Sequence, residues 1–241
     1  MGGGGFTMQE RTSALDRLVL TMTGEPVPKV CFLPTASGDP REQTTRFYER
    51  FGSWPCEPSI LSLFHLGRDR IDPIKHLLAQ DAIYVGGGSI RNMLAVWREH
   101  DSGLSAGAMC RFAGGITMSG GAPEPVVGLG LLPGSLSVHL DGEPERRRVY
   151  RAAVAAGELL SGYALDDSAA LVFHGTRLSA CVASRAGARV LRVQADGAGE
   201  ASERELAVHV LPGVGTTEAG LDESHGVSEL RALRAGRRRW D

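Results

Sequence analysis

The residues best suited to chemistry lie in the pentapeptide Gly103–Gly107, whose sequence GLSAG matches the pattern G-x-S-x-G. The two glycines let the chain turn sharply between a strand and a helix, which lifts Ser105 clear of the sheet. A serine hydroxyl needs a neighbouring base to become a nucleophile, and the oxyanion it creates needs backbone N–H donors. The pattern predicts acyl transfer at Ser105, although 32 glycines in the chain make a chance match easy.

A second glycine-rich segment follows an apolar run. Ala82–Val85 has the composition of a short strand, and Gly86-Gly87-Gly88 comes directly after it. Backbone without Cβ atoms at the carboxyl end of a parallel strand can approach a ligand closely, so Gly87 and Gly88 are candidate oxyanion donors. The same residues are also typical of a tight strand-to-helix turn. The sequence leaves both interpretations open.

Strand and helix patterns alternate in the first part of the chain. Short apolar runs are separated by segments whose apolar residues recur at helical spacing. The predicted helices are 12–23, one through Phe47 and Phe51, 72–78 and 93–100, and the predicted strands are 29–34, 59–64 and 82–85. This alternation predicts an α/β fold with a doubly wound, mostly parallel sheet.

The segment before Ser105 is short for that fold. Only Asp101 and Ser102 stand between the predicted helix 93–100 and Gly103. A nucleophile turn in a doubly wound sheet is preceded by a buried strand of about five residues. Either the protein lacks this strand or the sequence omits a segment. Because an unpaired sheet edge favours association, we expect the protein to form a homodimer or to be unstable as a monomer.

Composition narrows the class of function. The 241 residues are 42% hydrophobic and 22% charged with a formal net charge of −2, which gives no reason to expect nucleic acid or a membrane as a partner. The chain start lacks the layout of a signal peptide, so we expect a cytoplasmic protein. The cysteines Cys31, Cys56, Cys110 and Cys181 lack metal-site or disulfide spacing and are expected to be buried thiols. No metal or organic cofactor is expected.

Four segments, at residues 30–37, 83–88, 103–108 and 128–143, resemble one family in the same order. They look like peptidase E, the aspartyl dipeptidase, and its cyanophycinase relatives, which are serine peptidases with the fold of class I glutamine amidotransferases. The similarity runs from about Gly3 to about Gly213. It implies a serine-type peptidase that hydrolyses small peptides at an acidic, aspartyl residue.

The resemblance also implies roles for individual residues. Ser105 matches the nucleophile, and His139 matches the general base, a role that suits an imidazole near neutral pH. The backbone N–H groups of Ala106 and of the Gly87-Gly88 turn match the donors to the oxyanion. Ser89 and Ile90 stand where the family usually has asparagine and threonine, which predicts altered substrate contacts.

The acid that orients the base has two possible positions. Peptidase E relatives place an aspartate a dozen or so residues after the nucleophile, but Met118 stands at the matching position here. The cyanophycinase-like arrangement places the acid after the histidine, in a segment that resembles Gly162–Asp167. Asp167 is therefore the predicted orienting acid, with Asp166 and Asp141 in reserve. A solvated turn is the structural alternative for the acidic pair.

The C-terminal part has a different pattern. Segments 178–184, 188–194 and 205–211 read as short strands of an antiparallel meander beside the parallel sheet. We expect one α/β domain over residues 1–213, followed by a tail over 214–241 with a weak helix and a basic, arginine-rich end.

Two other functions remain open beside the peptidase. A family member that kept the fold but lost the chemistry would act as a binding or scaffold protein, which Met118 and the short segment before Ser105 favour. A different acyl-transfer hydrolase on the same fold would use the same catalytic residues.

Overall fold

A computed structural model describes residues 1, 3, 5–6, 14–66, 71–99, 109, 111–119 and 121–213. The helices in these ranges are α1 (Ala14–Thr23), α2 (Arg41–Phe51), α3 (Pro73–Leu78), α4 (Ile90–Glu99) and α5 (Pro144–Ala155). The strands are β1 (Lys29–Leu33), β2 (Glu57–Ile60), β3 (Ala82–Val85), β4 (Phe112–Ser119), β5 (Ala122–Val127), β6 (Leu132–Ser137), β7 (Gly162–Leu165), β8 (Ala169–His174), β9 (Arg177–Ala183), β10 (Val190–Ala195), β11 (Ala201–Glu205) and β12 (His209–Val210). No helix in these ranges is long and apolar enough to cross a membrane.

The first three strands form a parallel sheet in the order β2-β1-β3. In the central strand β1, Val30 and Phe32 pack into an aromatic cluster on one face, while Cys31 and Leu33 join the core on the other face. A strand buried on both faces is what a covered parallel sheet requires. The predicted alternation of strands and helices is confirmed here, and β3 has the predicted bounds.

The second strand differs from its prediction. The sequence predicts 59–64, whereas β2 covers Glu57–Ile60 and the chain then turns. Leu61 and Leu63 are nevertheless buried, because they reach the core cluster around Trp97 from the turn. The apolar residues at 59–64 therefore predict correctly which side chains are buried, whereas the pairing with β1 determines where the strand ends.

The remaining strands form two further sheets and do not continue the first. A six-stranded sheet has the order β11-β10-β7-β6-β4-β5, and a three-stranded sheet has the order β12-β9-β8. The α/β class is confirmed, but among the described strands β3 pairs with β1 alone. Helix α5 packs on the six-stranded sheet, where the buried Tyr150 hydroxyl hydrogen bonds to Ser135 Oγ of β6 at 2.8 Å.

The C-terminal strands are divided between the two later sheets and do not form a single meander. Strands β10 and β11 extend the six-stranded sheet through an antiparallel pairing with β7, while β8 and β9 form a hairpin elsewhere. The strand predicted at 205–211 contains the short strand β12 at His209–Val210, which pairs with β9, but the sequence pattern does not predict β11 at Ala201–Glu205. Its mostly exposed, polar residues carry no apolar alternation from which to predict it.

Helix α1 connects the first sheet with the hairpin of β8 and β9. Leu15 packs with Ala170 and Val182 of the hairpin. The neighbouring Asp16 is buried on the other side, where it accepts a hydrogen bond from the Tyr84 hydroxyl of β3 at 3.1 Å. This helix thus fixes one wall of the space that separates β3 from the later strands.

Candidate active site

A cavity of about 1000 Å³ lies between β3 and the later strands. Its wall on one side is the continuous stretch from Ile83 to Ile90, which includes the triple glycine. The other side is formed by the ends of β6 and β7 and by β8. The polar or charged side chains along the wall include Ser89, Arg111, Thr117, His139 and Arg146, and the apolar ones include Leu136, Val138, Leu165, Leu171 and Val172.

The two candidate oxyanion glycines differ in their surroundings. Gly88 has φ of +142°, and a Cβ added there would lie 2.3 Å from the carbonyl oxygen of Ala36. Only glycine fits at this position, because the turn packs directly on the backbone after β1. A Cβ at Gly87 would meet nothing within 4 Å. The structure therefore contains the tight strand-to-helix turn that the sequence allows. Both glycines also line the cavity, which is the position that an oxyanion donor would require.

Ser89 completes the turn by starting the next helix. Its N–H donates to the Ala36 carbonyl at 2.9 Å, and its hydroxyl accepts from the N–H of Asn92 at 3.2 Å. A serine in this position satisfies one of the unpaired N–H groups at the start of α4. The Ser89 side chain therefore has a structural role in capping α4. The altered substrate contacts that the sequence predicts at this position remain a separate prediction.

The structure brings His139 and Asp167 together. His139 follows β6 and Asp167 follows β7, which are parallel neighbours, so both residues emerge at the same edge of the six-stranded sheet. The distance from His139 Nδ1 to Asp167 Oδ1 is 2.6 Å. When Nδ1–H donates this hydrogen bond to the Asp167 carboxylate, Nε2 of the neutral imidazole carries the lone pair and can accept a proton.

Backbone conformation holds this pair in place. His139 has φ of +62° and Ser168, directly after Asp167, has φ of +68°. Residues other than glycine rarely adopt this left-handed region, so the surrounding contacts must fix both turns. For His139 these contacts include its carbonyl, which accepts from the Glu143 N–H at 2.9 Å at the start of α5.

The reserve acid Asp141 supports Asp167 through its backbone. One carboxylate oxygen of Asp141 accepts from the Asp167 N–H at 2.8 Å, and the other forms an ion pair with Arg185. Arg185 also donates to the Asp167 carbonyl at 3.2 Å. Burial alone would raise the pKa of Asp141, but these N–H and guanidinium partners lower it below its usual value. Asp141 and Arg185 therefore hold the backbone of Asp167, and with it the His139–Asp167 pair, through charged contacts.

The other reserve acid, Asp166, is occupied elsewhere. Its carboxylate is buried and accepts from the backbone N–H and the Nε–H of Arg189, both at 2.9 Å. Adjacent residues at a strand end point in opposite directions, so Asp166 faces Arg189 while Asp167 faces His139. The sequence does not identify Arg185 or Arg189 as partners of these acids, because an arginine in a turn is most often solvated.

The predicted nucleophile Ser105 and oxyanion donor Ala106 lie outside the described residues, as does Cys110. Met118, which stands where the resemblance places an acid, lies on β4 opposite Pro123 and lines the cavity. Of the other cysteines, Cys31 and Cys181 are buried free thiols as predicted, and Cys56 is a partly exposed one. Within the described ranges no cluster of three acidic, histidine or cysteine side chains could hold a metal ion.

Arg146 is a cavity residue that the sequence does not reveal. In the run Arg146-Arg147-Arg148 on α5, Arg147 pairs with Glu203 and Arg148 pairs with Glu145. Arg146 is buried, lines the cavity and donates its Nε–H to Glu143 at 2.7 Å. Three consecutive arginines suggest a solvated helix face, and only the orientation of α5 distinguishes the first of them.

Comparison with known proteins gives two matches. The sequence model of peptidase family S51 matches residues 1–181. An uncharacterized peptidase of Bacillus subtilis (strain 168), YgaJ, is 40% identical over 227 residues, which cover 88% of this chain and 95% of that protein. The family match includes the glycine turn, His139 and Asp167, and it ends before Arg185 and Arg189.

Proposed function

Because the chain belongs to peptidase family S51, we propose that it is a serine-type peptidase that hydrolyses small peptides at an acidic, aspartyl residue. The observation that supports this most directly is the 2.6 Å contact between His139 Nδ1 and Asp167 Oδ1, with His139 on the wall of the cavity that the glycine turn also lines. A partly buried imidazole fixed by a carboxylate is the base that acyl transfer from serine requires. The fold we propose for the whole domain is the doubly wound one of class I glutamine amidotransferases.

In this mechanism Ser105 attacks the carbonyl carbon of the cleaved bond. His139 Nε2 takes the serine proton, and Asp167 stabilises the imidazolium that forms. The N–H groups of Gly88 and Ala106 donate to the oxyanion, with Gly87 beside them in the turn. The tetrahedral intermediate then collapses, and His139 returns the proton to the leaving amine. Water, activated in turn by His139, hydrolyses the acyl-enzyme.

The acidic preference is supported by Arg146. Its Nε–H bond to Glu143 fixes the guanidinium on the cavity wall, and among the described residues its two Nη groups remain available to a substrate carboxylate. A guanidinium can bind a carboxylate with charge-assisted hydrogen bonds, which are about twice as strong as neutral ones. A buried guanidinium on the wall of the cavity that His139 also lines thus suits an aspartyl side chain better than an apolar one.

A serine-directed fluorophosphonate tests the proposal. We expect it to label the wild-type protein at a single site and to leave Ser105→Ala unlabelled. Ser202→Ala is the matched control, because Ser202 is an exposed serine on β11 whose hydroxyl bonds only to a neighbouring strand carbonyl. That variant should label like the wild type. Loss of aspartyl dipeptide hydrolysis in Ser105→Ala alone should accompany the loss of label.

A second candidate function is a binding or scaffold protein that has lost the chemistry. Met118 favours it, because a thioether on the cavity wall replaces the acid that peptidase E relatives carry there. Labelling of the folded wild-type protein at Ser105 would exclude this function. Absence of both label and hydrolysis would support it.

A further inference from the structure

We propose that Arg185 is a positioning residue for the His139–Asp167 pair. Through its ion pair with Asp141 it holds the backbone of Asp167, and so keeps the Asp167 carboxylate on His139 Nδ1. The inference rests on the proposed function, because it names what holds the base of that site in its working orientation. Arg185 lies beyond residues 1–181, which the family model matches, so the family match assigns it no role.

The carboxylate of Asp167 has few contacts of its own. Its side chain is 31% exposed, and among the described residues His139 is the only one whose side chain forms a hydrogen bond with it. A carboxylate with one partner can turn readily, since the torsion that orients it has broad energy minima. The backbone of Asp167 must therefore supply much of the order that the contact with His139 requires.

Both backbone polar groups of Asp167 are bound by one ion pair. Asp141 accepts from the Asp167 N–H through Oδ1 at 2.8 Å and pairs with Arg185 through Oδ2. The same guanidinium nitrogen, Arg185 Nη2, donates to the Asp167 carbonyl oxygen at 3.2 Å. These contacts form a closed ring, so the peptide groups on either side of Asp167 cannot rotate without breaking a charge-assisted hydrogen bond.

The ion pair joins three turns that the strand pairings bring together. Asp141 lies in the turn after β6, Asp167 in the turn after β7 and Arg185 in the turn after β9. Strand β8 starts directly after Ser168, and its antiparallel pairing with β9 returns the chain beside Asp167. The N–H of Ser184 also donates to the Ser168 carbonyl at 2.9 Å. Backbone hydrogen bonds therefore place Arg185 next to Asp167 independently of its side chain.

Backbone conformation and exposure indicate what the arginine does. His139 and Ser168 have φ of +62° and +68°, a conformation that residues other than glycine keep only where contacts fix it. Arg185 is 49% exposed, and an exposed ion pair contributes little to the stability of a fold. We therefore expect loss of Arg185 to disturb the His139–Asp167 pair while the fold remains.

Kinetics of Arg185 variants on an aspartyl dipeptide test the proposal. We expect Arg185→Ala to lower kcat about tenfold to hundredfold, because a displacement of about 1 Å can cost about 10²-fold, and to leave KM within about twofold. Arg185→Lys should recover part of the loss, since an ammonium can still donate to Asp141 and to the Asp167 carbonyl. Arg177→Ala is the matched control and should keep the wild-type kcat, because Arg177 is an exposed arginine at the other end of β9.

Double variants show whether Arg185 acts through the pair. In an Asp167→Asn background the carboxylate is already absent, so Arg185→Ala should lower kcat by less than about twofold further. Asp141→Ala combined with Arg185→Ala should cost no more than the larger of the two single losses, because both residues belong to one network. Additive losses in both backgrounds would show that Arg185 acts elsewhere and would overturn the inference.

Proton NMR reports the pair without any need for turnover. A histidine N–H that donates to a carboxylate resonates far downfield, and the signal of His139 Nδ1–H is identified by its absence from His139→Gln. We expect this resonance in the wild type and in Arg177→Ala. Faster exchange with water should broaden it in Arg185→Ala and less so in Arg185→Lys. Arg185→Gln keeps the length of the side chain and serves in the same tests if Arg185→Ala does not fold.

Three further results would overturn the inference. The first is a His139 resonance that is absent from the wild type or equally sharp in Arg185→Ala. The second is a loss that appears in KM alone, which would make Arg185 a substrate contact. The third is a fall in kcat of less than about threefold in Arg185→Ala. Failure of the proposed function would look different, because the wild type would not hydrolyse the dipeptide while its His139 resonance still depended on Arg185.

Discussion

The two sides of the cavity position their functional groups by different means. On the side of β3 the proposed groups are backbone N–H donors of the glycine turn, and their placement depends on Gly88 packing against Ala36. On the side of β6 and β7 the groups are side chains, and His139 is held through Asp167, Asp141 and Arg185. The first side depends on shape and the second on charge, so the two should respond to different substitutions.

Their carboxyl groups differ in the same way. Burial among aromatic residues raises the pKa of Asp16, beside β3, to about 7, against the smaller opposing effects of the Tyr84 hydroxyl, Arg50 and the Phe6 N–H. Asp141, on the other side, has a lowered pKa because its hydrogen bonds and Arg185 outweigh its burial. On the β3 side, exclusion of water favours the protonated carboxyl group of Asp16. On the β6 side, hydrogen bonds and an ion pair favour the ionised carboxylate of Asp141.

The largest effect is expected from Asp167→Asn. An amide in place of the carboxylate cannot fix the His139 tautomer or stabilise the imidazolium, so kcat on an aspartyl dipeptide should fall about 10³- to 10⁴-fold. Asp196→Asn, in the turn between β10 and β11, is the control and should keep its activity. Thermal unfolding of Asp167→Asn should stay close to that of the wild type. A loss of less than tenfold would remove Asp167 from the mechanism.

The neighbouring substitution Asp166→Asn should separate stability from catalysis. It leaves the Arg189 guanidinium without the buried carboxylate that accepts two of its hydrogen bonds. Breaking a buried ion pair on one side costs about 3 to 5 kcal/mol, and the partial exposure of Arg189 places this case near the lower value. Urea unfolding measures the loss. If Asp166→Asn abolished kcat in protein that remained folded, the division between the two acids would be wrong.

The sequence predicted the β3 side in detail and the β6 side in part. Strand β3 and its glycines are contiguous, so apolar composition followed by Gly86–Gly88 locates the turn without knowledge of distant contacts. The pairing of His139 with Asp167 came from resemblance. Arg189 approaches Asp166 because β7 and β10 are antiparallel neighbours, and Arg185 approaches Asp141 from the turn after β9, whose pairing with β8 places it there. Local patterns in one sequence do not show which distant strands pair, so these contacts could not be predicted.

The division into three sheets was also beyond prediction. The short segment before Ser105 indicated that a strand was missing from the expected sheet, but the consequence depends on how the later strands pair. Strand β4 takes β5 and β6 as neighbours, and β3 keeps one free edge among the described strands. Local patterns specify each strand, whereas the choice of partner depends on the whole chain.

On the β3 side, Gly88→Ala and Gly87→Ala form a matched pair. The Cβ of an alanine at 88 would lie 2.3 Å from the Ala36 carbonyl oxygen in a left-handed conformation, whereas at 87 it meets nothing within 4 Å. We expect Gly88→Ala to lower the free energy of unfolding by about 2 to 3 kcal/mol. Gly87→Ala should change it by less than about 0.5 kcal/mol. Equal effects in chemical denaturation would contradict the packing argument.

The smallest effect concerns the pH dependence that Asp16 gives to the β3 side. Its pKa of about 7 in the folded protein lies above the ordinary value of 3.8, so the folded state binds the proton more tightly than the unfolded chain does. This contribution to stability is present in full below about pH 4 and is lost as the pH rises through 7. Between pH 5 and pH 7 the wild type should therefore lose about 2 kcal/mol of unfolding free energy relative to Asp16→Asn. Asparagine keeps the acceptor for the Tyr84 hydroxyl but does not titrate. Urea unfolding of both proteins across this range measures the difference, and parallel curves would mean that water or a cation reaches the Asp16 carboxylate.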